Sequence, residues 1–170
     1  LPDPSSTMAG DFGEILVFIY HSVTVSGTKL IGPKKWRLKQ DRTKAAPYSD
    51  VVHFAVPNWP DSSEQDLLLC SEVKTKSTSS IFSPISSAIS DCEKDQTSRL
   101  AKTLVWLKER ALHEDLGKTT IALLDRFISA TDHPPVEKKF RAVAVVSSEL
   151  LCDEIAKAPE EIPSSYTLVV

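Results

Sequence analysis

The stretch Asp66-Leu67-Leu68-Leu69-Cys70-Ser71-Glu72-Val73-Lys74-Thr75-Lys76 decides how this chain is read. An apolar run passes directly into Glu72-Val73-Lys74. Side chains alternate faces along a strand, so Glu72 and Lys74 emerge together while Val73 points the other way, into a core. Acids and amines are rarely buried unless paired. The pattern asks for a partner, and a divalent metal with a phosphate is one candidate. The plainer reading is an exposed strand end, because Glu-x-Lys alone carries little information. A second copy, Glu137-Lys138-Lys139, follows His133-Pro134-Pro135 and is expected to be a solvated loop.

Upstream, Ser49-Asp50-Val51-Val52-His53-Phe54-Ala55-Val56 is expected to be a strand opened by an acid, joined to the Asp66–Lys76 strand by the turn-rich Pro57–Ser63 connector. Two neighbouring strands with a short connector suggest an antiparallel pair. Asp50 starts the first and Glu72 ends the second, so both acids can meet at one edge of the sheet. Before them, Lys34, Lys35, Arg37, Lys39, Arg42 and Lys44 crowd around Trp36. Basic residues interleaved with an aromatic suit phosphate contacts and base stacking, although such a run is often only a solvated face.

At the N-terminal end, residues 1–10 form an expected extended lead-in, and Leu1 in first place leaves room for a missing N-terminal portion. Asp11 is expected to cap a helix running to Tyr20. A strand is the alternative, because the run is rich in β-branched residues. Glu14 stands either in an exposed first turn, favoured by the helix dipole, or toward a site; spacing does not decide.

Beyond Lys76, Thr75–Ser83 reads as a loop. A long helix then starts at Ser83-Pro84, with Ile85, Ala88, Ile89, Cys92, Leu100, Leu104, Leu107 and Ala111 at helical spacing. Gln96 interrupts that stripe and is expected at its solvent edge. The flank with Asp91, Lys94, Asp95 and Arg99 is charged. A helix over Lys118–Ala130, a strand over Phe140–Val146, a short helix over Ser148–Ala156 and a last strand over Tyr166–Val170 complete the expected order. This is an α/β domain, residues 11–170, with a mixed central sheet flanked by helices.

Composition narrows the function. The 170 residues suit one domain, and no apolar run approaches a membrane span. No signal peptide is expected, because no positively charged segment with an apolar core opens the sequence. The three cysteines, Cys70, Cys92 and Cys152, sit in apolar settings and read as buried thiols of a reducing, cytoplasmic compartment. No Cys-x-x-Cys or glycine-rich phosphate loop is present. The net charge of −3 argues against a passive nucleic-acid coat, but not against a nucleic-acid enzyme with an acidic site.

Glu14, Asp50 and Glu72, with Lys74, form the candidate chemistry. Two ionised acids about 4 Å apart repel by ~4 kcal/mol at an effective dielectric near 20. Either a pKa rises or a cation binds. Oxygen-rich sites suit Mg2+ or Mn2+, and Lys74 could orient water or stabilise phosphate charge.

Asp50 followed by Glu72-Val73-Lys74, with Glu14 on a preceding helix, resembles the PD-(D/E)XK nuclease superfamily. The resemblance implies a restriction-endonuclease-like αβββαβ core and metal-dependent cleavage of DNA. Asp50, Glu72 and the auxiliary Glu14 would hold the metal, and Lys74 would be the catalytic lysine. Ser49-Asp50 replaces the superfamily's Pro-Asp. More narrowly, Gly13-Glu14-Ile15-Leu16, Ser49–Phe54, Leu69–Lys74 and Ile89–Asp95 are similar to HamA, the nuclease family of the Hachiman antiphage system. That likeness implies a helicase partner, HamB, and a DNA path past Lys34, Lys35, Arg37, Lys44 and Lys76. A non-catalytic nucleic-acid or protein interaction module on the same fold is the alternative.

Overall fold

The structure, a computed structural model, describes residues 5–25, 29–129, 137–161 and 167–170. Helix α1 spans Ser5–Thr24, strand β1 Val51–Ala55 and strand β2 Leu67–Lys76. Helix α2 (Pro84–Lys94) runs through a π-turn at Asp95–Arg99 into α3 (Leu100–His113), and α4 covers Lys118–Ile128. Strand β3 (Glu137–Val146), helix α5 (Leu151–Ala156) and strand β4 (Thr167–Val169) follow. This is the expected element order.

The four strands lie in the order β1-β2-β3-β4, with β1 antiparallel to β2 and the other two pairs parallel. Ile31 adds a single antiparallel bridge to Phe54 on the outer side of β1. The sheet is mixed because a hairpin feeds into a crossover: the helices between β2 and β3 bring the chain back in parallel.

Period-two alternation divides the core. Val52, Phe54, Leu68 and Cys70 face α3 and α4, packing on Leu100, Leu104, Leu107, Leu124 and Phe127. Ala142 and Ala144 of β3 pack on Ile85, Ala88, Ile89 and Cys92 of α2. The opposite parity, Val51, Val73 and Val143, meets Val17 of α1. Helix α1 lies close against β2: a Cβ at Gly13 would sit 2.2 Å from Thr75 Oγ1 and 3.2 Å from Val73 Cγ1. Only glycine permits that approach. The outer face of α1 exposes Phe12, Leu16, Ile19 and Val23. No helix among the described residues is long and apolar enough to cross a membrane.

Several local expectations differ. Ser5–Gly10, expected in the extended lead-in, is helical, and Thr7 Oγ1 ties that turn to the Thr43 carbonyl. Leu1–Pro4 lie outside the described residues. Asp11 does not cap the helix; it is buried inside α1 and paired with Lys39. Glu137-Lys138-Lys139 is exposed as expected, but it opens β3 rather than a loop, held by parallel pairing with Leu67, Leu68 and Leu69. Glu72 does not end its strand: β2 continues to Lys76 because β3 pairs along its full length. Cys70 and Cys92 are buried, whereas Cys152 is exposed on α5. His133-Pro134-Pro135, Ala130 and Tyr166 lie outside the described residues.

Candidate metal-dependent active site

The β1–β2 register pairs Val51 with Ser71, so one step further Asp50 stands opposite Glu72. The hairpin thus sets two carboxylates side by side where β1 stops and β2 continues. Asp50 Oδ2 accepts a 2.8 Å hydrogen bond from the Val73 N–H, using the strand edge that β1 leaves open. The Glu72 side chain is buried, and its Oε1 accepts from Lys74 Nζ at 2.6 Å. Glu72 Oε2 is buried without a hydrogen-bond partner.

Glu14 arrives from the other side of the sheet. It lies buried on α1, with Oε2 likewise unpartnered. Of the two positions left open by its spacing, the structure takes the inward one: α1 packs on β1 and β2 through the Gly13 face, which turns the next residue toward Asp50.

The electrostatics follow from this crowding. Burial, followed by the charge of Asp50, pushes Glu72 up to about 9 and Glu14 up to about 8. Asp50 is also raised, chiefly by burial, against the opposing pull of Lys35 and the Val73 amide. Burial and mutual repulsion thus favour the protonated forms of Glu72 and Glu14 at neutral pH. Lys74 moves the other way. Against the cost of burial, Glu72 and then Asp91 hold its ammonium well above the usual lysine range.

Three residues of this neighbourhood, Asp91, Asp95 and Ser49, were not singled out as site residues by the sequence pattern. Asp91 on α2 accepts from Lys74 at 2.7 Å and is itself held by Lys94 and Arg99. Asp95 was read with the charged flank, yet it is buried. The π-turn explains the difference: the Leu100 N–H bonds to the Asp95 carbonyl five residues back, so Asp95 and Leu100 both point inward. The gap in the stripe between Cys92 and Leu100, first ascribed to Gln96, was the available signal. Ser49 Oγ donates to Asp95 Oδ1 at 2.8 Å, and the Ser49 N–H to Thr103 Oγ1 at 3.1 Å. Lys35, expected on the DNA path, reaches the same turn, its Nζ donating to the Ser49 carbonyl.

The basic residues divide. Lys34, Arg37 and Lys44 are exposed. Lys34 and Arg37 border a cavity of about 630 Å3 floored by Ile31, Leu38, Phe54 and Leu124, away from the carboxylates. Lys44 pairs with Asp41 at 3.3 Å. Lys35 and Lys76 do not fit a DNA surface. Lys35 is 1% exposed and its Nζ donates to the carbonyls of Pro47 and Ser49. Lys76 is 5% exposed and bound to Glu154 and the carbonyls of Ser80 and Phe82. The alternation that placed them on a strand or in a basic run gave no account of the tertiary partners that bury them.

The sequence profile of the HamA family matches residues 1–167, nearly the whole chain. The chain belongs to the HamA family. Membership associates it with the Hachiman antiphage defence system. No curated protein matches the chain significantly.

Among the described residues, no group of three or more His, Cys, Asp and Glu side chains forms a ready metal cage. The donor set nonetheless fits Mg2+ or Mn2+. Magnesium is commonly held by one or two carboxylates plus substrate phosphate and water rather than by an all-protein cage. Asp50 and Glu72 are such a pair, and the buried Glu72 Oε2, which has no hydrogen-bond partner, is an oxygen of the type such a cation takes.

Proposed function

We propose that this HamA-family chain is a divalent-metal-dependent DNA nuclease and the effector of antiphage defence. The observation that carries the reading is the placement of two carboxylates, the half-buried Asp50 and the buried Glu72, opposite each other with the Lys74 ammonium 2.6 Å from Glu72. The order α1, Ile31 bridge, β1, β2, α2 and β3 supports an αβββαβ core of the PD-(D/E)XK type whose first strand is reduced to one bridge.

Asp50 and Glu72 would hold Mg2+ or Mn2+, with Glu14 as the auxiliary acid beside Asp50. Bound there, the cation would polarise the scissile phosphate and lower the pKa of attacking water. Lys74 is kept charged, so its part is to orient the water and stabilise charge on the phosphate rather than to remove a proton. Lys34, Arg37 and Lys44 would contact the DNA backbone, and a HamB-like helicase would act beside the chain. A non-catalytic nucleic-acid or protein interaction module on the same fold is the second reading.

Cleavage of supercoiled plasmid with Mg2+ or Mn2+ tests the proposal, beside Glu72→Ala, Lys74→Ala and a chelator. Cutting that needs the metal and both side chains supports the nuclease. Normal cutting by either variant removes the assignment. Metal binding measured by calorimetry separates a restrained enzyme, which loses binding in Asp50→Ala, from the interaction module, which binds no metal.

A further inference from the structure

Lys35 is among the largest fully buried side chains described, and its charge is not wasted on packing. Its Nζ donates to two main-chain carbonyls, Pro47 at 2.9 Å and Ser49. These carbonyls flank Tyr48, whose φ of 65° places a bulky residue in the left-handed region. That conformation is unfavourable for residues with a Cβ and persists only where the surroundings enforce it. The next residue but one is Asp50. The turn is gripped on other sides as well, because Asp95 and Thr103 bind the Ser49 hydroxyl and N–H. Burial lowers the pKa of Lys35, and the charges of Asp50 and then Glu14 are the leading opposition to that shift.

We propose that Lys35 is the positioning residue of the carboxylate site: it clamps the Pro47–Ser49 turn in its left-handed conformation and so sets Asp50 against the Val73 amide and opposite Glu72. It touches neither substrate nor cation. The charge suits the task, since an ammonium satisfies both carbonyls and balances the acids gathered beside it, whereas an apolar side chain of equal length does neither. The short 3-10 turn Lys35–Arg37, with Lys34 just before it, thereby carries two separate functions. Lys34 and Arg37 face solvent for an outside partner, and Lys35 turns inward to the site.

The inference deepens the nuclease reading, and its first test is independent of cleavage. Amide NMR spectra of the wild type, Asp50→Asn, Lys35→Met and Lys35→Arg report the Val73 N–H directly. Asp50→Asn calibrates the signal of a weakened bond. Lys35→Met is expected to move the Val73 resonance in the same direction, to leave the spectra of β3 and α4 in place, and to weaken Mn2+ binding at least tenfold. Lys35→Arg, which keeps the charge, is expected to recover part of both. DNA affinity measured without metal should stay within twofold. Should Lys35→Met not fold, Lys35→Gln is read in the same way.

A folded Lys35→Met or Lys35→Gln protein with Val73 at its wild-type position and Mn2+ affinity within twofold overturns the inference. Loss of DNA affinity alone also overturns it and returns Lys35 to the DNA surface. Wild-type protein that neither binds Mn2+ nor cuts DNA counts against the nuclease, and the Val73 comparison still decides the role of Lys35.

Discussion

Glu72 and Lys74 share a strand face, but their partners lie on different elements. Glu72 meets Asp50 from β1, and Lys74 is shared between Glu72 and Asp91 from α2. In the proposed mechanism Asp91 would aim the lysine without reaching the reacting atoms. Asp91→Asn is expected to lower kcat about 10- to 100-fold, the usual effect of an outer partner, with KM for DNA little changed; steady-state cleavage kinetics distinguish this from lost DNA binding. Among the cations, neutralising Lys34, Arg37 and Lys44 together should weaken DNA binding at all sequences and flatten its salt dependence. Lys76→Met should leave both unchanged, since its ammonium is occupied by Glu154. Filter binding over a salt series tests the contrast. If the triple variant binds like the wild type, those residues form only a solvated face.

At the scale of elements, contact between α1 and β2 controls how Glu14 is delivered. Gly13 allows that contact, and an added methyl would strike Thr75 Oγ1. Gly13→Ala should cost about 1–3 kcal/mol as an overpacked site, despite the better helix propensity of alanine. Gly10 lies on the same helix with nothing within 4 Å of an added Cβ. There Gly→Ala should stabilise by about 0.4–1 kcal/mol. Thermal melts of the two variants should move in opposite directions. If both rise, α1 is free to shift from β2 and does not fix Glu14. The π-turn is the second controlling element, because it turns Asp95 inward from its expected place on the charged flank.

For the molecule as a whole, two sets of buried titratable groups give stability a bounded pH window. Burial, with the positive charge of Arg141, lowers His21 to about 3 and His53 to about 4. Below pH 6.5 the unfolded chain takes up protons that the folded chain refuses. Stability should therefore fall with decreasing pH, by up to ~1.4 kcal/mol per pH unit for each histidine. Glu72 and Glu14 act on the other limb. Their folded pKa values of about 9 and about 8 exceed the unfolded value of 4.5, so the metal-free folded state holds extra protons and loses stability as pH rises toward 9. The two trends oppose each other between about pH 4.5 and 6.5, which predicts a plateau there and a fall on either side. Mg2+ should lift the alkaline limb only, and a neutral replacement of His21 should lift the acid limb only. Melting curves across pH, with and without Mg2+, test both; an alkaline limb indifferent to Mg2+ removes the cation from the carboxylates.

Sequence by itself determined the element order, the hairpin and the sharing of one face by Glu72 and Lys74. These follow from local periodicity, 2.0 for strands and 3.6 for helices, and from turn residues between them. It also set Asp50 and Glu72 at matching ends of paired strand segments, because an antiparallel register is fixed by the connector and the apolar pattern. Only the tertiary structure decided which charges are buried. Lys34, Lys35 and Arg37 look alike in a row, yet only Lys35 turns inward, because the carbonyls of Pro47 and Ser49 and the acids beside it are brought there by residues distant in the chain. Asp95 and Lys76 were settled in the same way, through Ser49 and Glu154 respectively. A charge is buried where its partners converge, and that convergence is a property of packing that no periodicity records.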